Sequence, residues 1–163
     1  MLISFLLKTF LMKMKFVKYG LLLVAVIGVA TAFAFKAKTP EIKNEKGISF
    51  IEQDWQKALD SAKANNKLVF LDIYATWCGP CKMLKQYTFT DEATGKFFNE
   101  NFINVSVDGE SGVGPQLAEK YSIVGYPSLI ITDATGKVIL ETAGYMQPNQ
   151  LLYFAKEALK RKS

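Results

Sequence analysis

Residues 67–82 read KLVFLDIYATWCGPCK, and this stretch decides the fold. Lys67–Ala75 is a near-continuous apolar and aromatic run of strand length, the pattern of a strand covered on both faces of a sheet. Pro80 suits the first turn of a helix, and Met83, Leu84 and Tyr87 continue that helix. The two cysteines of the chain, Cys78 and Cys81, therefore fall where a buried strand ends and a helix begins. A helix start carries unpaired N–H groups and partial positive charge, which favours thiolate over thiol. Cys78, just ahead of the helix, is expected to be the exposed nucleophile, and Cys81, one turn in, the shielded partner. Two intervening residues let the sulfurs reach bonding distance, so Cys81 can resolve a mixed disulfide formed at Cys78. Pro80 removes one orphan N–H and stiffens the turn. Two blander readings compete. A purely structural disulfide gains most from closing a long loop, and this one closes almost nothing. A metal site would need a second ligand pair, from carboxylates or from a second chain.

Asp72 lies in the middle of the apolar run, six residues before Cys78. An acid there is costly unless it is solvated at a sheet edge or functional. Desolvation should raise its pKa, and a carboxylate poised near neutrality beneath Cys81 could take that thiol's proton, through a water, during resolution. Further on, Gly125-Tyr126-Pro127 precedes the apolar run Ser128–Thr132. A proline at a strand entrance is either an ordinary trans residue or a deliberate cis one.

Around this centre, strand and helix signals alternate. Asp54 is a candidate N-cap for a helix through Trp55, Leu59 and Ala62. Thr90-Asp91-Glu92 opens a helical stretch, Phe102–Val107 is a strand, Gly109–Gly114 a glycine-rich loop and Gln116–Tyr121 a short helix. Ser128–Thr132 and Val138–Thr142 are strands joined by a turn at Asp133–Gly136, and Leu151–Leu159 is an amphipathic helix. This order, α-β-α-(α)-β-α-β-β-α, suits one sheet covered by helices on both faces.

Composition removes other classes. Of 163 residues, 50% are apolar and 21% charged, enough for a core. The absence of His excludes a Ser-His-Asp triad, a Cys-His pair and any His-ligated metal, and two cysteines cannot build a four-cysteine zinc site in one chain. No metal is expected. The net charge of +5 belongs largely to the N-terminus, where Lys8, Lys13, Lys15 and Lys18 stand without an acid in residues 1–34. The rest holds 16 basic and 15 acidic residues, a net of +1, so nucleic-acid binding is not expected.

Those lysines precede Tyr19–Phe35, an uncharged run of 17 residues. Ala30-Thr31-Ala32 and Ala32-Phe33-Ala34 both fit a small-x-small cleavage site. The run suits either a cleaved signal peptide or a retained anchor. The excess of lysine before it places residues 36–163 across the membrane, in the periplasm or on the outer face of the cytoplasmic membrane. Membrane contact, if the leader stays uncleaved, is confined to residues 16–36. The expected organisation is a leader over residues 1–35, a linker over 36–48 and a domain over 49–163.

The Trp77–Lys82 run, Asp72 and Gly125-Tyr126-Pro127 together resemble the thioredoxin superfamily over roughly Ser49–Lys160. Gly144 matches the family's glycine near the active-site surface. FLDIYATWC followed by YTFTDEA is most similar to exported members, including the C-terminal domain of membrane thiol:disulfide interchange reductases. The resemblance implies an α/β fold with a central mixed β-sheet flanked by helices on both faces, and a cis peptide before Pro127. It implies thiol–disulfide exchange through a redox-active Cys78–Cys81 disulfide, with no further cofactor. Cys78, Cys81 and Asp72 would be catalytic, with Trp77, Gly79, Pro80, Lys82 and Pro127 in support. A substrate chain would lie along Trp77, Tyr126, Pro127 and Gly144. Two departures stand out. The family lysine that neighbours the buried acid is Asn104 here, and the Gly109–Gly114 loop is longer than in the smallest members.

Gly79-Pro80 between the cysteines resembles the reducing members. An exported reductase needs a source of electrons, so the implied partners are substrate proteins with disulfides or thiols and a membrane thiol reductase as electron donor. The implied function is protein-disulfide reduction. The alternatives are a non-catalytic protein-binding module using the Trp77/Tyr126 groove and a dedicated apocytochrome c thiol reductase.

Overall fold

The computed structural model describes residues 46–162. The leader expected over 1–35, and all but the last three residues of the linker, lie outside them. No helix of the described residues is long and apolar enough to cross a membrane.

Eleven elements follow in order. Strand β1 is Ile51–Glu52 and helix α1 is Trp55–Asn65. Strand β2 is Leu68–Tyr74, followed by helix α2 at Gly79–Met83 and a π-helical turn at Leu84–Thr88. Helix α3 spans Glu92–Asn101, β3 Phe102–Asp108 and α4 Gly114–Lys120. Strands β4 (Ser128–Thr132) and β5 (Val138–Ala143) lead to α5, Pro148–Arg161. The sheet order is β1-β3-β2-β4-β5. The β1–β3 and β3–β2 pairs are parallel, while β4 runs antiparallel to both β2 and β5. This is the expected mixed sheet, with β1 and the π-turn added.

Local chemistry sets the boundaries. The Asp54 carboxylate accepts the Lys57 N–H at 3.0 Å and caps α1. Trp55, Ala58 and Ala62 recur on one buried stripe, and Asn66, in the left-handed region at φ 51°, ends the helix. Asp91 caps α3 by accepting from both the Thr94 N–H and hydroxyl, at 2.8 and 2.7 Å. Gln150 Oε1 accepts the Gln147 N–H at 2.8 Å at the start of α5, with Pro148 in its first turn, so that helix begins three residues earlier than its apolar stripe.

β2 sits at the sheet centre, and its two side-chain sets go to opposite layers. Val69, Leu71 and Ile73 meet Val105, Val107 and Ile130, covered by Trp55, Ala58 and Ala62 of α1 and Leu117 of α4. Leu68 and Phe70 face the other way, against Leu84, Phe89, Phe98, Leu129, Leu151 and Phe154. Phe70 is fully buried there, edge-on to Phe98 at 4.7 Å between centroids. The segment before β1 docks on the same layer: the Ile48 N–H donates to the Phe89 carbonyl at 2.7 Å. Gly95 of α3 meets the Gly47 backbone so closely that a Cβ there would lie 2.2 Å from the Gly47 carbonyl carbon.

Candidate active site

Strand β2 runs to its carboxyl end at Tyr74, and Ala75, Thr76 and Trp77 carry the chain over to α2. Cys78 is the N-cap of α2. Its Sγ accepts the Cys81 backbone N–H at 3.1 Å, so the sulfur takes the place of a capping oxygen at the positive end of the helix. Cys78 and Cys81 are joined in a disulfide, with their Cα atoms 5.3 Å apart. Gly79 faces open space and Pro80 lies in the first turn, where its missing N–H leaves no bond unmade. Lys82 is exposed.

The expectation that Cys78 is the exposed sulfur is corrected by this oxidised form. Cys78 and Cys81 are equally buried, at 2% and 3% exposure. The bond turns the two sulfurs toward each other, and Ala75, Tyr74 and Tyr126 pack around the pair.

Trp77 is two-thirds exposed and stands edge-on to Tyr126, centroids 6.0 Å apart. Its indole N–H reaches both carboxylate oxygens of Glu110, at 3.0 and 3.1 Å. Glu110 comes from the glycine-rich loop, which is fixed by its own N–H on Asp108 and by the Gly109 N–H on the Tyr74 carbonyl. The Tyr126–Pro127 peptide is cis. The Pro127 carbonyl accepts the Gly144 N–H at 2.9 Å, and Gly144 sits at φ 91° with open space where a Cβ would be. Trp77 is thus in contact with Tyr126, and Pro127, next in the chain, is tied to Gly144.

Asp72 is buried, at 1% exposure, on the central strand, which excludes a solvated sheet-edge position. It shares the β2 face of Leu68 and Phe70, the face that Leu84 packs against. Register places Ser106 of β3 opposite, and the Ser106 hydroxyl donates to Oδ2 at 2.9 Å. Oδ1 has no hydrogen-bond partner among the described residues. Burial pushes the carboxyl up to about 6, against the Ser106 hydrogen bond and the Lys85 charge, which lower it, while Glu52 adds to the rise. Asn104 lies two residues before Ser106 on the same face of β3. It pairs with Phe70, and its amide donates to the Ser49 carbonyl and Asn99 Oδ1, at 3.3 and 3.1 Å.

Three residues here escape sequence reasoning: Ser106, Glu110 and Lys85. Nothing in the sequence pairs Trp77 with a carboxylate in a loop 33 residues away. Among the described residues no cluster of His, Cys, Asp or Glu is fit to hold a metal.

A mixed sheet with a buried acid on its central strand and a cysteine pair at the start of the helix that follows defines a thioredoxin-like protein of the thiol–disulfide oxidoreductase class. The chain belongs to the thioredoxin-like domain family, which matches residues 55–159. It is similar to the thiol:disulfide interchange protein DsbD of Pseudoalteromonas atlantica, at 30% identity over 109 residues, 65% of this chain and 18% of that protein. The same protein of Actinobacillus pleuropneumoniae is 32% identical over 92 residues, 55% of this chain and 16% of the relative. The chain therefore spans less than a fifth of these relatives. Among solved structures, a putative disulphide-isomerase from Bacteroides thetaiotaomicron shares 36% identity at a TM-score of 0.63, covering 71% of this chain and 95% of that one.

Proposed function

We propose that the chain is an exported protein-disulfide reductase, periplasmic or held at the outer face of the cytoplasmic membrane. The observation that carries this reading is the Cys78 sulfur at the α2 start, accepting the Cys81 N–H, with the second sulfur bonded to it. In the reduced protein the Cys78 thiolate attacks one sulfur of a substrate disulfide. A Cys78–substrate bond forms and the other substrate sulfur leaves as a thiolate. Asp72 then takes the Cys81 proton through a water, and the Cys81 thiolate attacks the Cys78 sulfur. The Cys78–Cys81 disulfide forms, and the substrate sulfur that was bonded to Cys78 leaves and takes the proton back from Asp72, while the sulfur released first takes its proton from solvent. Two electrons pass from the dithiol to the substrate, which becomes two thiols.

Trp77, Tyr126, Pro127 and Gly144 line the path of the bound chain, and Gly79, Pro80 and Lys82 shape the helix start. The Gly79-Pro80 spacer and the absence of His support the reducing direction, and the likeness to thiol:disulfide interchange proteins supports a membrane thiol reductase as electron donor.

Reduction of insulin by dithiothreitol tests the reading. Cys78→Ser should abolish catalysis, and Cys81→Ala should accumulate mixed disulfides at Cys78. If Cys81→Ala captures no substrate and Cys78→Ser reduces insulin as well as the parent, the chain is a binding module. A reduction potential near that of the strong periplasmic oxidants, about −120 mV, would refute the reducing direction.

A further inference from the structure

The resemblance expects a lysine on β3 next to the buried acid, and that position holds the uncharged Asn104, whose amide donates to the Ser49 carbonyl and Asn99 Oδ1. A cation reaches the carboxyl from the other side of the site. The π-turn turns Leu84 and Thr88 into the core and leaves Lys85 beside them on the outer surface. The Lys85 ammonium lies 3.4 Å from the centroid of the Tyr74 ring, the geometry of a close cation–π contact. That ring is itself held: the Tyr74 hydroxyl accepts from Gln53 Nε2 at 3.4 Å.

Tyr74 and Asp72 are alternate residues of β2. Their side chains leave the same face of the sheet, roughly 7 Å apart along the strand. The ammonium is therefore fixed above the face that carries the carboxyl, and its charge lowers the carboxyl's pKa. The other groups around Asp72 are few. Glu52 of β1 shares its row through Ser106, and Leu129 of β4 opposite is apolar. Among the described residues, the charges that bear on this carboxyl are the Lys85 ammonium, which lowers its pKa, and Glu52, which raises it.

We propose that Lys85, held on the Tyr74 ring, is a positioning residue that governs when Asp72 carries its proton, and so the pH range over which Cys81 can be activated. The second half of this inference rests on the reading of Asp72 as the base for Cys81; the first half stands apart from it. Cationic control thus comes from the helix that carries the cysteines, through an aromatic ring, rather than from the neighbouring strand.

The test uses the full-length oxidised chain and three variants: Lys85→Met, which keeps the aliphatic stem, Lys85→Arg, which keeps the charge, and Asp72→Asn, which assigns the signal. Carboxyl 13C NMR follows the Asp72 titration. Stopped-flow release of thionitrobenzoate from a mixed disulfide preformed at Cys78 follows attack by Cys81 as a function of pH. Loss of one partly screened charge at this range should make the Asp72 carboxyl about threefold harder to ionise. Lys85→Met should then move the NMR midpoint and the pH–rate profile upward together, and Lys85→Arg should restore both. An unmoved Asp72 midpoint in Lys85→Met overturns the proposal. A midpoint that moves, with a pH–rate profile that matches the parent's in both Lys85→Met and Asp72→Asn, upholds the coupling of Lys85 to Asp72 and overturns Asp72 as the base.

Discussion

Replacing Asp72 by Asn should make the oxidised protein more stable at alkaline pH than at acid pH, relative to the parent. The carboxyl is ionised in the unfolded chain above its ordinary value of 3.8, and in the folded protein only above about 6. Between those values the folded state binds the proton more tightly, so stability falls as pH rises across that window. Below the window the penalty is absent, and above it the penalty is complete. At ~1.4 kcal/mol for each factor of ten in proton affinity, the full penalty is about 3 kcal/mol. At pH 4 about 0.5 kcal/mol of it is already in place, so roughly 2.5 kcal/mol separates pH 4 from pH 8. Asparagine retains an acceptor for the Ser106 hydroxyl but brings an N–H2 group to the side where Oδ1 has no partner. That cost, about 1–3 kcal/mol, is the same at both pH values and cancels in the difference. Urea denaturation of both oxidised proteins at pH 4 and pH 8 measures it. With a slope of about 1–2 kcal/mol/M, the variant's midpoint relative to the parent should rise by more than ~1 M between the two pH values. Equal differences at pH 4 and pH 8 would refute the claim that this carboxyl is held neutral by burial.

Two further substitutions test the packing that holds the site. Gly95→Ala should destabilise the fold by about 1–3 kcal/mol in thermal unfolding, because overpacking outweighs the helix propensity that alanine adds; a stabilised variant would mean that α3 and the Gly47 segment are not in contact. Thr88 donates its hydroxyl to the Met146 carbonyl at 2.6 Å, tying the π-turn to the segment before α5. Thr88→Val should leave that carbonyl unpaired and lower stability by about 1–3 kcal/mol in urea, and an unchanged midpoint would remove the bond from the account.

The centre of this fold is legible because its residues answer to local rules. A strand buried on both faces must read as continuously apolar, so β2 declares itself, and a polar residue inside it, Asp72, stands out against that background. The helix start after it is marked by Pro80, and the cysteines are visible on either side. What escapes the sequence depends on register or on a bend. Which residue of β3 faces Asp72 is set by pairing between strands 34 residues apart, and Ser106 rather than Asn104 falls there. β1 is two residues long, too short for any alternation to register. The π-turn is hidden because Met83, Leu84 and Tyr87 fit an unbroken helix equally well. The equal burial of the two sulfurs follows from the oxidised state, whereas reasoning from the helix start describes the free thiolate of the reduced one.

The same burial that weakens the fold at Asp72 suits the carboxyl for its proposed work. A solvated aspartate near 3.8 binds protons too weakly to draw one from a thiol at neutral pH. A carboxyl buried with no opposing influence would rise further and keep its own proton. Here burial and Glu52 push upward, while the Ser106 hydrogen bond and the Lys85 ammonium hold the value near 6, so that at pH 7 the group is mostly ionised yet appreciably basic. The two restraining groups come from different places, Ser106 from the neighbouring strand and Lys85 from the turn that continues the cysteine helix. A shift of that helix against the sheet would move Lys85 and leave Ser106 in place. The proton affinity of Asp72 is thereby linked to the position of the element that carries Cys81, the group whose proton it is proposed to receive.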